Sequence, residues 1–203
     1  MNGPICAEIY YPRAKKIWCA GEMMNFSEVP AYAFKDFWSV KPSWIRWLYK
    51  ILSYIIAPIA VLIFNYADCI GVYHDARVMG TFKETIAALK AGDDIIIFPE
   101  KNEEGKDFLY AFSENFVDVA KMYCKKGKNE LRFVPMYIAP ALKSVYFGES
   151  VLFNAEAPIE DERKRISESM RDEILELAKA LPRHRVVPYA NIPKRDYPFS
   201  KEA

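Results

Sequence analysis

Short apolar runs alternate with longer amphipathic ones along the chain. Ile5 and Ile9 stand one helical turn apart and predict a short helix over Gly3–Tyr11. Lys16-Ile17-Trp18-Cys19-Ala20, with Lys15 before it, reads as a short strand. Residues 21–43 are mixed, punctuated by Pro30 and Pro42. Cys69–Tyr73 fits a strand. Thr81–Leu89 places Phe82, Ile86 and Leu89 on one helical face, and Gly92 suits the position just past the helix end. Ile95–Phe98 is a continuous apolar run, the pattern of a strand buried on both faces of a parallel sheet. Phe112–Tyr123 reads as a helix, Leu131–Ile138 as a buried strand interrupted by Pro135, and Val145–Phe153 as one or two short strands around Gly148. Asp161–Leu181 is a long amphipathic helix carrying Ile166, Met170, Ile174 and Leu177, stopped by Pro182. Residues 183–203, with Pro188, Pro193 and Pro198, are expected to form an extended, Pro-rich tail.

Strands alternating with helices predict an α/β fold, a mostly parallel sheet flanked by helices. In such sheets ligands sit beyond the carboxyl ends of the strands. That rule directs attention to the residues after Cys69–Tyr73 and after Ile95–Phe98.

Trp44–Phe64 is the most apolar stretch. Its uncharged core, Ile51–Phe64, contains Pro58 and falls short of the roughly 20 apolar residues a bilayer span needs. It is expected to be a buried or interfacial helix pair broken at Pro58. Trp44, Trp47 and Tyr49 beside Arg46 and Lys50 suit a lipid headgroup region, so contact with a membrane surface without spanning is the expectation.

A chain of 203 residues can bury a core without disulfides or a structural metal. With 52% hydrophobic and 27% charged residues it is not a disordered chain. Lys plus Arg is 28 against 27 for Asp plus Glu, and the net charge of +1 argues against nucleic acid as a partner. The mean hydropathy of -0.10 excludes a polytopic membrane protein. Cys6, Cys19, Cys69 and Cys124 stand far apart and form no C-x-x-C pair. They read as small hydrophobes in a reducing compartment, and no metal site is expected. No secretory signal opens the sequence, so a cytoplasmic protein with peripheral membrane association is expected.

Two constellations could carry chemistry. Pro99 and Glu100 follow the run Ile95–Phe98 directly, which puts a carboxylate at the ligand end of the sheet beside a rigid backbone, with Lys101 next. The plain reading of this segment is an ordinary strand exit with solvated charges. His74 and Arg77 follow the run Cys69–Tyr73, where they and a helix N-terminus near Thr81 could cradle an anion. The plain reading there is a surface turn.

In their order, these segments resemble the glycerolipid acyltransferase superfamily, best known through the 1-acylglycerol-3-phosphate acyltransferases. Phe98-Pro99-Glu100 is similar to the start of that family's Phe-Pro-Glu-Gly-Thr-Arg-Ser block, while Lys101-Asn102-Glu103 departs from it. Val72-Tyr73-His74 stands in the place of a Val-Asp-Arg strand end. The helix ending at Gly92, the segment Phe112–Phe116, Phe133-Val134-Pro135-Met136-Tyr137 and Lys16–Ala20 resemble further family segments. The resemblance implies an acyltransferase-like α/β domain over residues 1–182, with its first strand missing.

The resemblance also implies direct acyl transfer from acyl-coenzyme A or acyl-carrier protein, as co-substrate, to a lysophospholipid or other hydroxyl acceptor, with no bound cofactor. A His of a His-x-x-x-x-Asp motif would be the base. That motif should precede Lys16, where this chain begins with Met1-Asn2-Gly3-Pro4, and its two histidines, His74 and His184, lie elsewhere. No catalytic residue is therefore assigned, and the chain as it stands is expected to be inactive. The substrate-binding residues implied are Glu100, His74, Arg77, Lys101 and Pro99. His74 takes the family's Arg position, where it is a weaker phosphate partner, and Arg77 is expected to supply the guanidinium. The alternative is a catalytically silent lipid- or phosphate-binding homologue. A hydrolase built on His74 and Asp75 fits poorly, because adjacent residues of an extended segment point to opposite faces.

Overall fold

A computed structural model describes residues 7–38, 42–101, 109–125, 129–188 and 194–201. The chain divides into two compact units, residues 13–97 and residues 1–12 with 98–203, and each is treated by itself.

The unit of residues 13–97 is built on a three-stranded parallel sheet. β1 (Lys15–Ala20) is central, flanked by β2 (Cys69–Val72) and β3 (Asp94–Ile96). The register pairs Ile17 with Cys69 on one side and with Ile96 on the other. Between β1 and β2 come a 3-10 turn (Gly21–Met24), α1 (Val29–Ala33) and the long α2 (Arg46–Tyr66), which a 3-10 turn (Ser43–Ile45) introduces. Between β2 and β3 runs α3 (Val78–Ala91). Gly92 closes α3 at φ +94, where a side chain would be strained, and Asp93 N–H returns to the Ala88 carbonyl at 3.1 Å.

A hydrogen-bond relay ties α3 to both neighbouring strands. The Trp18 indole donates to Thr85 Oγ1 at 2.9 Å, Thr85 donates to the Thr81 carbonyl, and Thr81 donates to the Gly71 carbonyl at 2.6 Å. Thr81 and Thr85 are buried, so these bonds satisfy polar atoms that would otherwise cost stability. Thr81 is therefore a tie to β2, and α3 begins at Val78, three residues before the expected helix start.

Three expectations for this unit need correction. Ile95–Phe98 is not a strand buried on both faces. β3 covers Asp94–Ile96 at an edge of the sheet, and only Ile96 is fully buried. A continuous apolar run cannot tell a central strand from an edge strand whose outer face is half covered. Trp44–Phe64 is not a broken helix pair, because α2 continues through Pro58. Pro58 lies on the exposed side of α2, and the turns on both sides remain helical. Nor is α2 a core helix. Ser53 and Ala57 are its buried residues, and most of the apolar side chains face outward.

In the other unit, residues 7–10 are helical, while Gly3–Cys6 of the expected helix lies outside the described residues. The expected helix Phe112–Tyr123 is shorter: a 3-10 turn (Asn115–Val117) leads into α4 (Asp118–Tyr123), and Phe112 pairs with Glu100 as an isolated bridge. The expected strand Leu131–Ile138 is two strands, β4 (Arg132–Phe133) and β5 (Met136–Ala139), separated at Val134-Pro135 because proline cannot donate to a ladder. β5 pairs with β6 (Ser144–Phe147) and β4 with β7 (Val151–Leu152), both antiparallel. The fold is thus α/β with a small parallel sheet, and the sheet structure of this unit is antiparallel.

α5 (Ile159–Ala180) carries Glu160, Asp161 and Glu162 in its first turn and Lys179 in its last, which complements the helix dipole. Ile166 and Met170 are buried one turn apart, and Ile174, Leu177 and Leu181 pack on the cluster of Tyr137, Ala139, Ala178 and Val186. The tail pairs with itself. Val186 N–H donates to the Pro198 carbonyl and Ser200 N–H to the His184 carbonyl, both at 2.9 Å.

Candidate functional site

Glu100 is the expected site residue with the most unusual setting. Residues 99–101 run antiparallel to 111–113: Lys101 N–H donates to the Ala111 carbonyl at 2.9 Å and Ser113 N–H to the Pro99 carbonyl at 2.7 Å. This two-bond clamp fixes the backbone of Pro99, Glu100 and Lys101. The Glu100 carboxyl is partly buried and accepts from the Tyr110 backbone N–H. Burial pushes it up to about 7, which outweighs the lowering effect of that N–H. A carboxyl so poised exchanges a proton near neutral pH, and it can accept from or donate to a hydroxyl. Lys101 is exposed and Pro99 partly buried. Asn102 and Glu103, which depart from the family block, lie outside the described residues.

His74 and Arg77 sit past the end of β2 in the unit of residues 13–97. Arg77 is fully engaged. Its Nη1 lies 2.9 Å from Glu28 Oε1, its Nη2 lies 2.8 Å from Asp75 Oδ2, and its guanidinium stacks 3.9 Å over the Tyr73 ring. Asp75 also accepts from the Arg77 backbone N–H at 2.8 Å, and the Arg77 hydrogen bonds hold its carboxyl below the usual range. Two carboxylates thus neutralise the one guanidinium expected to hold phosphate. An incoming anion would have to displace Glu28 or Asp75. His74 is exposed, and its ring makes no hydrogen bond among the described residues.

Glu28 and Tyr73 were not legible as partners of Arg77, nor Gly21 as the seat of the Tyr73 ring. Tyr73 lies flat against Gly21, where a Cβ would collide with the ring, and its hydroxyl donates to the Gly21 carbonyl at 3.3 Å. A glycine directly after β1 and another, Gly71, within β2 were the available signal for this close approach.

The other candidate nucleophiles and bases are tied up. A side-chain hydrogen bond with the Cys69 thiol, together with burial, pushes the Cys19 thiol far above its ordinary range. His184 is buried, with Nε2 2.6 Å from the Tyr137 hydroxyl and Nδ1 2.7 Å from the Pro182 carbonyl. No protein-family model, curated protein or solved structure matches this chain.

Proposed function

We propose that this chain is an acyltransferase-like protein of the glycerolipid type, binding a lysophospholipid or other hydroxyl acceptor that is acylated from an acyl thioester. The observation that carries the reading is Glu100. It is a proton-exchanging carboxyl held by the 99–101/111–113 clamp, in a Phe-Pro-Glu sequence. In this role Glu100 orients the acceptor hydroxyl. A base not assigned among the described residues would take the hydroxyl proton, and the alkoxide would attack the thioester carbonyl. The ester C–O bond would form as the C–S bond breaks, the thiolate leaving with that proton as a free thiol.

A specific observation favours the silent homologue as a second reading. Neither histidine is set as a base: His184 is committed to Tyr137 and Pro182, and His74 lacks an orienting carboxylate among the described residues. The two readings share acceptor binding and differ in turnover.

Both are tested by lysophosphatidic acid binding together with thiol release from a long-chain acyl-coenzyme A. Binding that falls about tenfold in Glu100→Ala, the loss of one hydrogen bond to a charged or polar group, supports both readings. Thiol release at background supports the silent one. Turnover that survives His74→Ala supports the enzyme. No binding of lysolipid or thioester contradicts both.

A further inference from the structure

α2 presents its length to solvent in a way that a core helix does not. With the turn that introduces it, it runs over Ser43–Tyr66, 24 residues, or about 36 Å at 1.5 Å per residue. One stripe faces its own unit: Ala57 is buried against Met23 and Val29, with Ala60, Val61 and Phe64 packed alongside. The rest is bare. Trp47 is 64% exposed, Ile55 61%, Ile59 59% and Leu62 58%, with Ile51 and Leu48 in the same arc. At 100° per residue these side chains sweep about 120°, and the exposed Tyr54, Leu52 and Ile63 widen the arc to about half of the circumference, without a charge between Ile51 and Phe64.

We propose that α2 is an in-plane membrane anchor, its bare arc embedded in one leaflet of a lipid bilayer and its axis parallel to the membrane. The inference does not rest on the acyl-transfer reading. Three observations choose this occupant and this pose.

First, the arc is too wide for a single partner helix, which covers a narrow seam and would leave flanking isoleucines in water. A leaflet covers the whole arc at once.

Second, the helix is fastened at its middle and at its end. Ala57 is held by Met23 and Val29, in a layer that also carries Glu22 and Glu28. Only Ala67 and Asp68 separate Tyr66 from β2, and Asp68 pairs with Lys16 of β1 at 3.2 Å. A spanning pose would carry that acidic layer to the bilayer centre, whereas an in-plane pose leaves it in water.

Third, the amphipathic rings do not cluster at two ends as in a spanning helix. Trp44, Trp47, Tyr54 and Tyr66 are exposed at the start, middle and end. The axis must lie flat for all four to meet the headgroup level. Lys50 lines a shallow depression with Trp47, Ile51 and Tyr54 at one flank of the arc, which suits a lipid phosphate beside ring edges.

The test is flotation of the full chain with vesicles of phosphatidylcholine, with and without phosphatidylglycerol. Nitroxide depth is then measured at Ile51→Cys, Ile55→Cys, Ile59→Cys and Leu62→Cys in a chain whose own cysteines are replaced by alanine. The chain is expected to float, and more strongly with the anionic lipid. Labels at all four positions are expected at one shallow depth of about 5–10 Å. The double variant Ile55→Asp/Ile59→Asp, shown to fold by its melting curve, is expected to lose at least about tenfold in vesicle binding. Wild-type chain that stays at the bottom of the gradient overturns the proposal. So does a depth profile that descends from Ile51 to the bilayer centre at Ile59. A dimer that the double variant breaks while vesicle binding is unchanged assigns the arc to a second copy instead.

Discussion

The Tyr137 hydroxyl and His184 Nε2 lie 2.6 Å apart in a buried site, and Nδ1 of the same ring faces the Pro182 carbonyl. A carbonyl only accepts, so Nδ1 carries the proton and Nε2 accepts from the hydroxyl. The pair fastens the tail to the cluster around α5. Tyr137→Phe leaves a buried nitrogen without its donor and is expected to cost about 1–3 kcal/mol, read as a lower urea midpoint with unchanged slope. An unchanged midpoint would mean that the tail contributes nothing to global stability.

Glu100 predicts a pH dependence of one sign. Its carboxyl is pushed up to about 7 from the ordinary 4.5, so the folded chain holds this proton more tightly than the unfolded chain. Its contribution to stability is fully present below about 4.5 and is lost as pH rises through 7. Glu100→Gln cannot ionise. Relative to wild type, it is expected to gain about 2–3 kcal/mol between pH 5 and pH 8 in urea unfolding. An equal difference at both pH values would contradict this.

Glu162 predicts the opposite sign. Arg165 Nε lies 2.6 Å from Oε1, and Asn154 N–H donates to Oε2 at 2.9 Å. These bonds, Arg165 foremost, hold the carboxyl below its ordinary 4.5. The stability it contributes is full above that value and is lost as pH falls through the folded pKa. Glu162→Gln is expected to cost about 1–3 kcal/mol at neutral pH and to flatten the acid limb of the stability profile.

Gly21 and Tyr73 form a fourth test. Gly21→Ala drives a Cβ into the Tyr73 ring, and that ring carries the stacked Arg77. A cost of about 1–3 kcal/mol is expected. Adding Tyr73→Ala is expected to recover part of it, a coupling that a double-mutant cycle reads from melting curves. Additive losses would place the strain elsewhere.

The sequence pattern was most legible where one residue type dictates local geometry. Gly92 ends α3, Pro182 follows α5, and the four-residue period of Ile166, Met170 and Ile174 announced the buried side of α5. Patterning failed where burial depends on distant partners. The apolar run at Ile95 gave no sign that β3 would be an edge, and in Trp44–Phe64 only the aromatic and basic flank of Trp44–Lys50 pointed to a bare face. The segment Glu22–Ala33 had no strong period, yet it supplies both the layer beneath α2 and the Glu28 that occupies Arg77. Charge pairing across 49 residues of chain leaves no local trace.

Glu100 is proposed to face a hydroxyl acceptor with a carboxyl poised near neutrality. The most direct measurement is a carbon NMR titration of the Glu100 side-chain carboxyl, assigned by Glu100→Gln, without and with saturating lysophosphatidic acid. A midpoint near 7 is expected in the free chain, because burial disfavours the ionised carboxyl, and a displaced midpoint is expected when the lysolipid is bound. A midpoint near the ordinary 4.5, or one near 7 that the lysolipid does not move, would contradict it.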